Sequence, residues 1–186
     1  MIFFPRFELG WLNGWLYLCV FYLVFGIIIL SSPMEVRARL YSTSNLPKKS
    51  RFYSISTNIL GFFFLLQTIF TPLKTDSIEF ILGSLMIIVS IICMSISLIN
   101  YKNTPLDVPV TKGIYEISRN PQIIMILLTW FGISFSMGSW VAIITVISIA
   151  FFFHFKILDE EKACLKQYGK KYQDYIEKVS RYFFFF

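Results

Sequence analysis

Two apolar runs near the end of the chain, 123–137 and 140–157, are joined only by Gly138-Ser139 and carry almost no charge. A polar, aromatic and charged segment lies on each side of them, at 110–123 and at 156–175. The two ends of a short helical hairpin must meet in space. This arrangement therefore predicts one polar site at the point where the hairpin leaves its apolar surroundings.

The composition indicates that those surroundings are a lipid bilayer. The chain is 56% hydrophobic and only 15% charged, whereas soluble domains are roughly 45–50% apolar and about 25% charged. Its three cysteines lie far apart without a CxxC pair, so neither a disulfide framework nor a metal site is indicated. We expect an all-α integral membrane protein with a single domain over residues 1–186.

Five apolar runs predict about five transmembrane helices, because roughly 20 residues cross a hydrocarbon core of about 30 Å. They are 11–30, 54–71, 78–99, 123–137 and 140–157. The fourth run is short for a full crossing. The first begins with interfacial aromatics, although Ser31-Ser32-Pro33 leaves a signal peptide as the alternative.

The basic residues predict the orientation. With the N-terminus outside or lumenal, the loops 35–51 and 101–121 and the tail from Lys156 share one side, which holds every Lys and Arg except Arg6 and Lys74. The positive-inside rule makes that side cytoplasmic, together with the C-terminus. The membrane is then the plasma membrane or the endoplasmic reticulum, depending on the organism. No nucleic-acid partner is expected, because the basic residues follow topology rather than form a groove.

The tail after the last run predicts an amphipathic helix over 159–180. Apolar residues recur there at three- and four-residue spacing, namely Leu165, Tyr168, Tyr172, Tyr175, Ile176 and Val179. Such a helix lies on a membrane surface with its lysines towards anionic headgroups. The aromatic end, 182–186, is expected at the same interface.

The segment before the hairpin allows two interpretations. Gly113 permits a tight turn or a close approach to a ligand, and Pro121 suits the first position of a helix. Asn120 is therefore either the N-cap of that helix or a ligand contact. Tyr115 and Arg119 complete a polar loop at the membrane face that a small polar ligand would require.

The segment after the hairpin carries the stronger functional signal. Asp159, Glu160 and Glu161 follow an apolar span directly, where the helix dipole favours cations. Lys156 lies four residues before Glu160, so the two can pair on one helix face. A salt-bridged helix exit is the plain interpretation, while ionisable groups near a buried helix end indicate a functional site.

Other polar residues give weaker signals. His154, the only histidine, is expected to pack rather than to bind a metal. Asn58 and Gln67 are candidates for hydrogen bonds between helices. The chain has no GxSxG, HExxH, P-loop or Rossmann fingerprint, which disfavours hydrolase and nucleotide-binding functions.

Both segments resemble the isoprenylcysteine carboxyl methyltransferase family and its phospholipid methyltransferase relatives, over about 107–181. That family's pattern is roughly HxLVxxGxYxxxRHPxY, a hydrophobic hairpin, RxxxE(E) and FGxxYxxY. The chain has DVPVTKGIY at 107–115, RNPQI at 119–123, Lys156 with Glu160-Glu161, and YGKKYQDY at 168–175.

The resemblance implies an integral membrane enzyme that uses S-adenosyl-L-methionine to methylate a lipid or prenylated acceptor, such as a prenylcysteine carboxylate or a phospholipid amine. Residues 1–100 would hold three spans and 101–186 the cofactor-binding module. The implied catalytic residues are Lys156, Glu160 and Glu161. The implied cofactor-binding residues are Val108, Pro109, Val110, Gly113, Tyr115, Arg119, Asn120, Pro121, Gln122, Ile123 and Glu160.

Departures from the family pattern keep two alternatives open. Asp107, Asn120 and Ile123 replace two histidines and a tyrosine, and Lys156 lacks the fork of the arginine it replaces. One alternative is a membrane protein like the NADPH-dependent sterol reductases, which share a similar C-terminal module. The other is an inactive membrane scaffold of the same fold. The acceptor and the oligomeric state are left open.

Overall fold

The computed structural model describes residues 1–41 and 47–183, and over these ranges the chain is helical, without a β-strand. The all-α prediction is confirmed. The helices are α1 (Trp15–Leu30), α2 (Met34–Tyr41), α3 (Lys48–Phe70), α4 (Ile78–Lys102), α5 (Pro121–Met137), α6 (Trp140–Tyr168) and α7 (Lys170–Ile176). One 3-10 helix, Gly113–Glu116, lies between α4 and α5.

Three of the described helices, α3, α4 and α6, are long and apolar enough to cross a membrane. The apolar helices α1 and α5 are shorter, at 16 and 17 residues. Large apolar side chains cover the outer face of α4, including Ile81, Leu85, Ile88, Ile92 and Ile96. Exposed side chains of this kind suit contact with lipid rather than water.

Local sequence explains where the hairpin helices begin and end. Pro121 opens α5, where its missing N–H costs no hydrogen bond. Gly138 ends α5 with φ +61°, a conformation that favours glycine. The Ser139 hydroxyl then accepts a bond from the Ala142 N–H at 3.2 Å and caps α6.

The core lies where five helices meet, and α4 packs most extensively against α5. A Cβ on Gly83 would collide with the backbone of Gly132, so only glycine lets these helices approach so closely. The pair α3 and α6 is joined by a 3.0 Å bond from Gln67 Nε2 to Thr145 Oγ1. The expectation of an interhelical bond is thus confirmed for Gln67, while Asn58 lies exposed.

Two elements differ from the sequence-based expectation. The basic loop predicted over 35–51 contains α2, and its residues 42–46 lie outside the described part of the chain. The single helix predicted over 159–180 is wrong, because α6 continues to Tyr168 and the chain then turns at Gly169 into the short α7. Of the predicted aromatic end, 184–186 likewise lie outside the described residues.

Candidate functional site

The connection between α4 and α5 is built around a small buried cluster. Val110, Ile114 and Tyr115 are each less than a tenth exposed and pack together against Cys93 and Tyr101. This cluster fixes the polar segment against the end of α4. The segment therefore has a defined shape although most of it is not helical.

Gly113 begins the 3-10 helix with φ +68°. A Cβ at this position would collide with the side chain of Asn100 on α4. Gly113 is thus required by the backbone itself, since other residues rarely adopt this conformation. The segment that contains Gly113 therefore lies directly against α4.

Tyr115 connects three elements. Its hydroxyl accepts bonds from Ser97 Oγ on α4, at 3.2 Å, and from Gln122 Nε2 on α5, at 3.0 Å. Its carbonyl accepts a 2.7 Å bond from the Tyr175 hydroxyl on α7. Burial raises the pKa of Tyr115 to about 12. The phenol therefore stays neutral at physiological pH and acts as a hydrogen-bonding and packing group.

The charged group with the most hydrogen bonds is a triad of Arg119, Glu161 and Arg181, in which the first two are buried and Arg181 is partly exposed. Arg119 Nε donates to Glu161 Oε1 at 3.0 Å, and Arg181 donates to Glu161 Oε2 through Nε at 3.0 Å and Nη2 at 2.8 Å. The Glu161 bonds raise the pKa of Arg181. Both carboxylate oxygens of Glu161 are thus occupied by guanidinium groups. This geometry suits a supporting carboxylate better than a group that exchanges protons.

Arg119 also holds the tail. Its Nη1 donates to the carbonyls of Ile176, the last residue of α7, at 2.9 Å, and of Val179, just beyond it, at 3.0 Å. Its backbone N–H donates to the Ser180 carbonyl at 3.1 Å. The start of α5, the end of α6 and the C-terminal tail are therefore joined through one arginine.

Asn120 occupies the N-cap position of α5, but its side chain makes no capping bond there. Its Nδ2 instead donates to the Arg181 carbonyl at 3.4 Å, and its backbone N–H donates to Ser118 Oγ at 3.2 Å. Of the two interpretations offered for Asn120, the N-cap is correct in position only. The amide faces the tail that closes the site.

Lys156 and Glu160 form the second ion pair, with Lys156 Nζ 3.7 Å from Glu160 Oε1. The side chain of Glu160 is 38% exposed, against 9% for Glu161. Successive helical residues differ in direction by about 100°. Glu160 therefore presents a carboxylate on the accessible side of α6, while Glu161 faces Arg119 and Arg181.

A cleft of about 410 Å³ separates α5 from α6. Its walls are almost wholly apolar and consist of Ile123, Ile124, Leu127, Leu128, Phe131, Ala150, Phe153, His154, Ile157 and Tyr182. The one polar feature is a 2.9 Å hydrogen bond between His154 Nδ1 and the Tyr182 hydroxyl. His154 thus packs in a side wall, as expected, but with a partner from the tail that its sequence position did not suggest.

Three pairs of the sequence-predicted site residues are in direct contact: Tyr115 with Gln122, Arg119 with Glu161, and Lys156 with Glu160. The Val108 carbonyl accepts a bond from Arg39 on α2, whereas Asp107 is exposed. Sequence analysis missed Arg181 as a partner of Glu161. The available signal was a single arginine, followed by aromatics, at the end of a tail whose other basic residues are all lysines.

Comparison with known proteins identifies the family. A family model for phospholipid methyltransferases matches residues 77–171, just over half of the 186-residue chain. The chain belongs to the phospholipid methyltransferase family. Searches of curated proteins and of solved structures gave no significant match.

The match to phospholipid methyltransferases covers α4, the connection with the Tyr115 cluster, α5, α6 and the first residues of α7. It therefore contains Arg119, Lys156, Glu160 and Glu161 but ends before Tyr175 and Arg181. The family and the apolar helices together indicate a membrane methyltransferase. The resemblance predicted from the two motifs is confirmed.

Proposed function

We propose that this phospholipid methyltransferase family member transfers a methyl group from S-adenosyl-L-methionine to a lipidic acceptor, such as a prenylcysteine carboxylate or a phospholipid amine. The observation that carries the proposal is the accessible Lys156–Glu160 pair beside the Arg119–Glu161–Arg181 triad, inside the region that matches the family. The family does not favour the reductase or the scaffold alternative.

The groups present fit a cationic cofactor that carries an amino acid moiety. Glu160 offers a partly exposed carboxylate for a positive group, and the buried cluster of Val110, Ile114 and Tyr115 fixes the connection between α4 and α5. When bound, S-adenosyl-L-methionine would supply an electrophilic methyl group on a sulfonium. We assign its binding to Glu160 and to the segments 108–110 and 120–123, with Gly113, Tyr115 and Arg119 shaping the loop.

Lys156 and Glu160 would orient the acceptor and remove its proton. Lys156, a point charge, would orient a carboxylate or phosphate of the acceptor. An amine acceptor must lose a proton, and Glu160 is the better candidate base because Glu161 has both oxygens bonded to arginines. Positioning of the reacting groups in line supplies most of the rate enhancement available to such a site.

The α5–α6 cleft is our proposed route for the acceptor. Its α6 wall includes Phe153 and Ile157, and Glu160 follows Ile157 at three-residue spacing, on the adjoining part of the helix surface. A hydrocarbon chain in the cleft would thus lead its headgroup towards the ion pair. The apolar walls would also exclude water from the reacting groups.

We further propose that the chain crosses the membrane five times, as one domain over 1–186, with α1 and α5 as the short crossings and the C-terminus in the cytoplasm. Support comes from the basic residues, which lie on the side that holds α2, the α4–α5 connection and α7. The candidate site then faces the cytoplasm, where the soluble cofactor would be available.

The test is calorimetric binding of S-adenosylhomocysteine to the full chain in detergent. Wild type should bind with micromolar affinity, and Glu160→Gln should weaken binding by at least about tenfold through loss of a charged contact. Asp174→Asn is the matched control, since Asp174 is an exposed carboxylate on α7. A folded wild-type protein that binds no S-adenosylhomocysteine would overturn the proposal.

A further inference from the structure

One arginine on α2 reaches across to the connection between α4 and the 3-10 helix. Arg39 Nη1 donates to the carbonyls of Thr104, at 3.5 Å, and Pro105, at 3.1 Å. Its Nη2 donates to the carbonyl of Val108 at 2.8 Å. Three carbonyls of one short stretch of chain therefore converge on a single side chain.

The same guanidinium contacts two aromatic rings. Its central carbon lies 5.0 Å from the ring centre of Tyr101, near the end of α4, and 6.0 Å from that of Tyr168, the last residue of α6. Arg39 has no ion pair among the described residues. Its charge is therefore shared among backbone carbonyls and aromatic faces, which suits a structural clamp between elements.

The clamped stretch needs such a partner. Residues 103–112 form no regular helix or strand, so their carbonyls lack the intrahelical partners that α4 provides. The bonds to Thr104 and Val108 are partly buried, where a carbonyl without a partner is costly, whereas the bond to Pro105 is exposed. The fork of one arginine binds all three carbonyls at once and so specifies the path of the chain up to Val108.

We infer that Arg39 is a positioning residue for the proposed cofactor site. By holding Val108 on one side and contacting the ring of Tyr168 on the other, it fixes the α4–α5 connection against the end of α6, the helix that carries Glu160 two turns earlier. The inference rests on the proposed function. Arg39 lies outside the residues that match the family, 77–171.

The test compares Arg39→Lys with Arg51→Lys in the full chain in detergent. Lysine keeps the charge but lacks the planar fork, so it cannot reproduce the three carbonyl bonds. Arg51 is an exposed arginine on α3 and serves as the matched control. In Arg39→Lys we expect the Kd for S-adenosylhomocysteine to rise about tenfold. Hydrogen exchange of the amides in 103–112 should also become faster, and Arg51→Lys should change neither.

Steady-state kinetics add a measurement that a purely structural role would not affect. The KM for S-adenosyl-L-methionine should rise in Arg39→Lys while kcat stays within about twofold of wild type. Wild-type affinity in Arg39→Lys, or a fall in thermal stability with unchanged KM, would overturn the inference alone. Failure of wild type itself to bind S-adenosylhomocysteine would overturn the proposed function and this inference together.

Discussion

Glu160 and Glu161 are neighbours in sequence but lie in different surroundings. Glu161 pairs with two guanidinium groups, and its side chain is 9% exposed. Glu160 faces a single lysine, and both partners are more than a quarter exposed. Removal of each charge should therefore have a different effect.

Glu161→Gln should destabilise the fold by about 3 kcal/mol, because it leaves Arg119 and Arg181 close together without a counter-charge. Glu160→Gln should cost less than about 1 kcal/mol, as expected for an exposed pair. Thermal unfolding in detergent measures both. Equal losses of stability in the two variants would contradict this assignment of roles.

Tyr115 makes stability depend on alkaline pH. Its folded-state pKa of about 12 lies above the ordinary tyrosine value, which is about 10. Between these values the unfolded chain has lost the proton that the folded protein keeps. The stability that the neutral Tyr115 contributes is therefore fully present below about pH 10 and is lost as the pH rises towards about 12.

Wild type should consequently lose stability more steeply than Tyr115→Phe above about pH 10, by up to about 2–3 kcal/mol for the full shift. Burial raises the pKa values of Tyr172 and Tyr175 as well, so only the difference between wild type and variant is diagnostic. Unfolding temperatures at pH 9, 10 and 11 provide it. Parallel curves would show that Tyr115 does not cause the effect.

For single residues, the sequence predicted the chemical character of the site but not which charged side chains pair with each other. Arg119, Lys156 and both glutamates were recognisable as polar groups beside apolar runs. Only Lys156 and Glu160, four residues apart on one helix, could be paired from spacing. Glu161 meets Arg119 and Arg181 across 42 and 20 residues, which only the packed fold determines.

Gly169 forms the turn between α6 and α7. It has φ +55° and ψ −129° and separates α6 from α7. A Cβ added there would have no neighbour within 4 Å, so a substitution is penalised by backbone conformation alone. The short α7 then places Tyr172 and Tyr175 inward, where both are buried.

Gly169→Ala should therefore cost about 1–3 kcal/mol and loosen the tail. We expect faster proteolysis after Lys170 and Lys171 because the tail undocks more often. Gly26→Ala in α1 is the control, since its Cβ would also be free of neighbours within 4 Å and its φ is not positive. Identical proteolysis of the two variants would show that the turn does not control docking.

Helix ends were the least predictable feature of the elements. The apolar pattern located α4 and the hairpin helices well, because their limits coincide with Ser77, Pro121 and Gly138. It placed the end of the last helix too early. The charged stretch after Ile157 contains good helix formers, so α6 continues into it until Gly169.

For the whole molecule, the five-crossing topology makes a direct prediction. In a background without Cys19, Cys93 and Cys164, and in cells that carry the protein in the plasma membrane, the cysteine of Thr75→Cys should react with a membrane-impermeant maleimide without opening the cells. One at Lys171 should react only after the cells are opened. Both native positions are exposed in the structure. Reaction of the Lys171 cysteine in intact cells would contradict the proposed orientation.

Hydropathy predicted the class of the molecule, since the class depends on composition along the chain. It could not predict which helices pack together. The contact of α4 with α5 depends on Gly83 and Gly132, and the resemblance of the motifs did not extend to α1, α2 or α3. Because Arg39 lies on α2, outside the motifs, the sequence analysis used it only as one of the basic residues that predict orientation.

The contact of α4 with α5 differs from the contact of α5 with α6, and the difference has a kinetic consequence. The backbones of α4 and α5 are in direct contact at Gly83 and Gly132, whereas a cleft lies between α5 and α6. An acceptor that enters through the cleft is supplied by lateral diffusion in two dimensions. The relevant substrate concentration is then a mole fraction in the bilayer. At a fixed total amount of acceptor, dilution with inert lipid should slow turnover, whereas dilution with buffer should not.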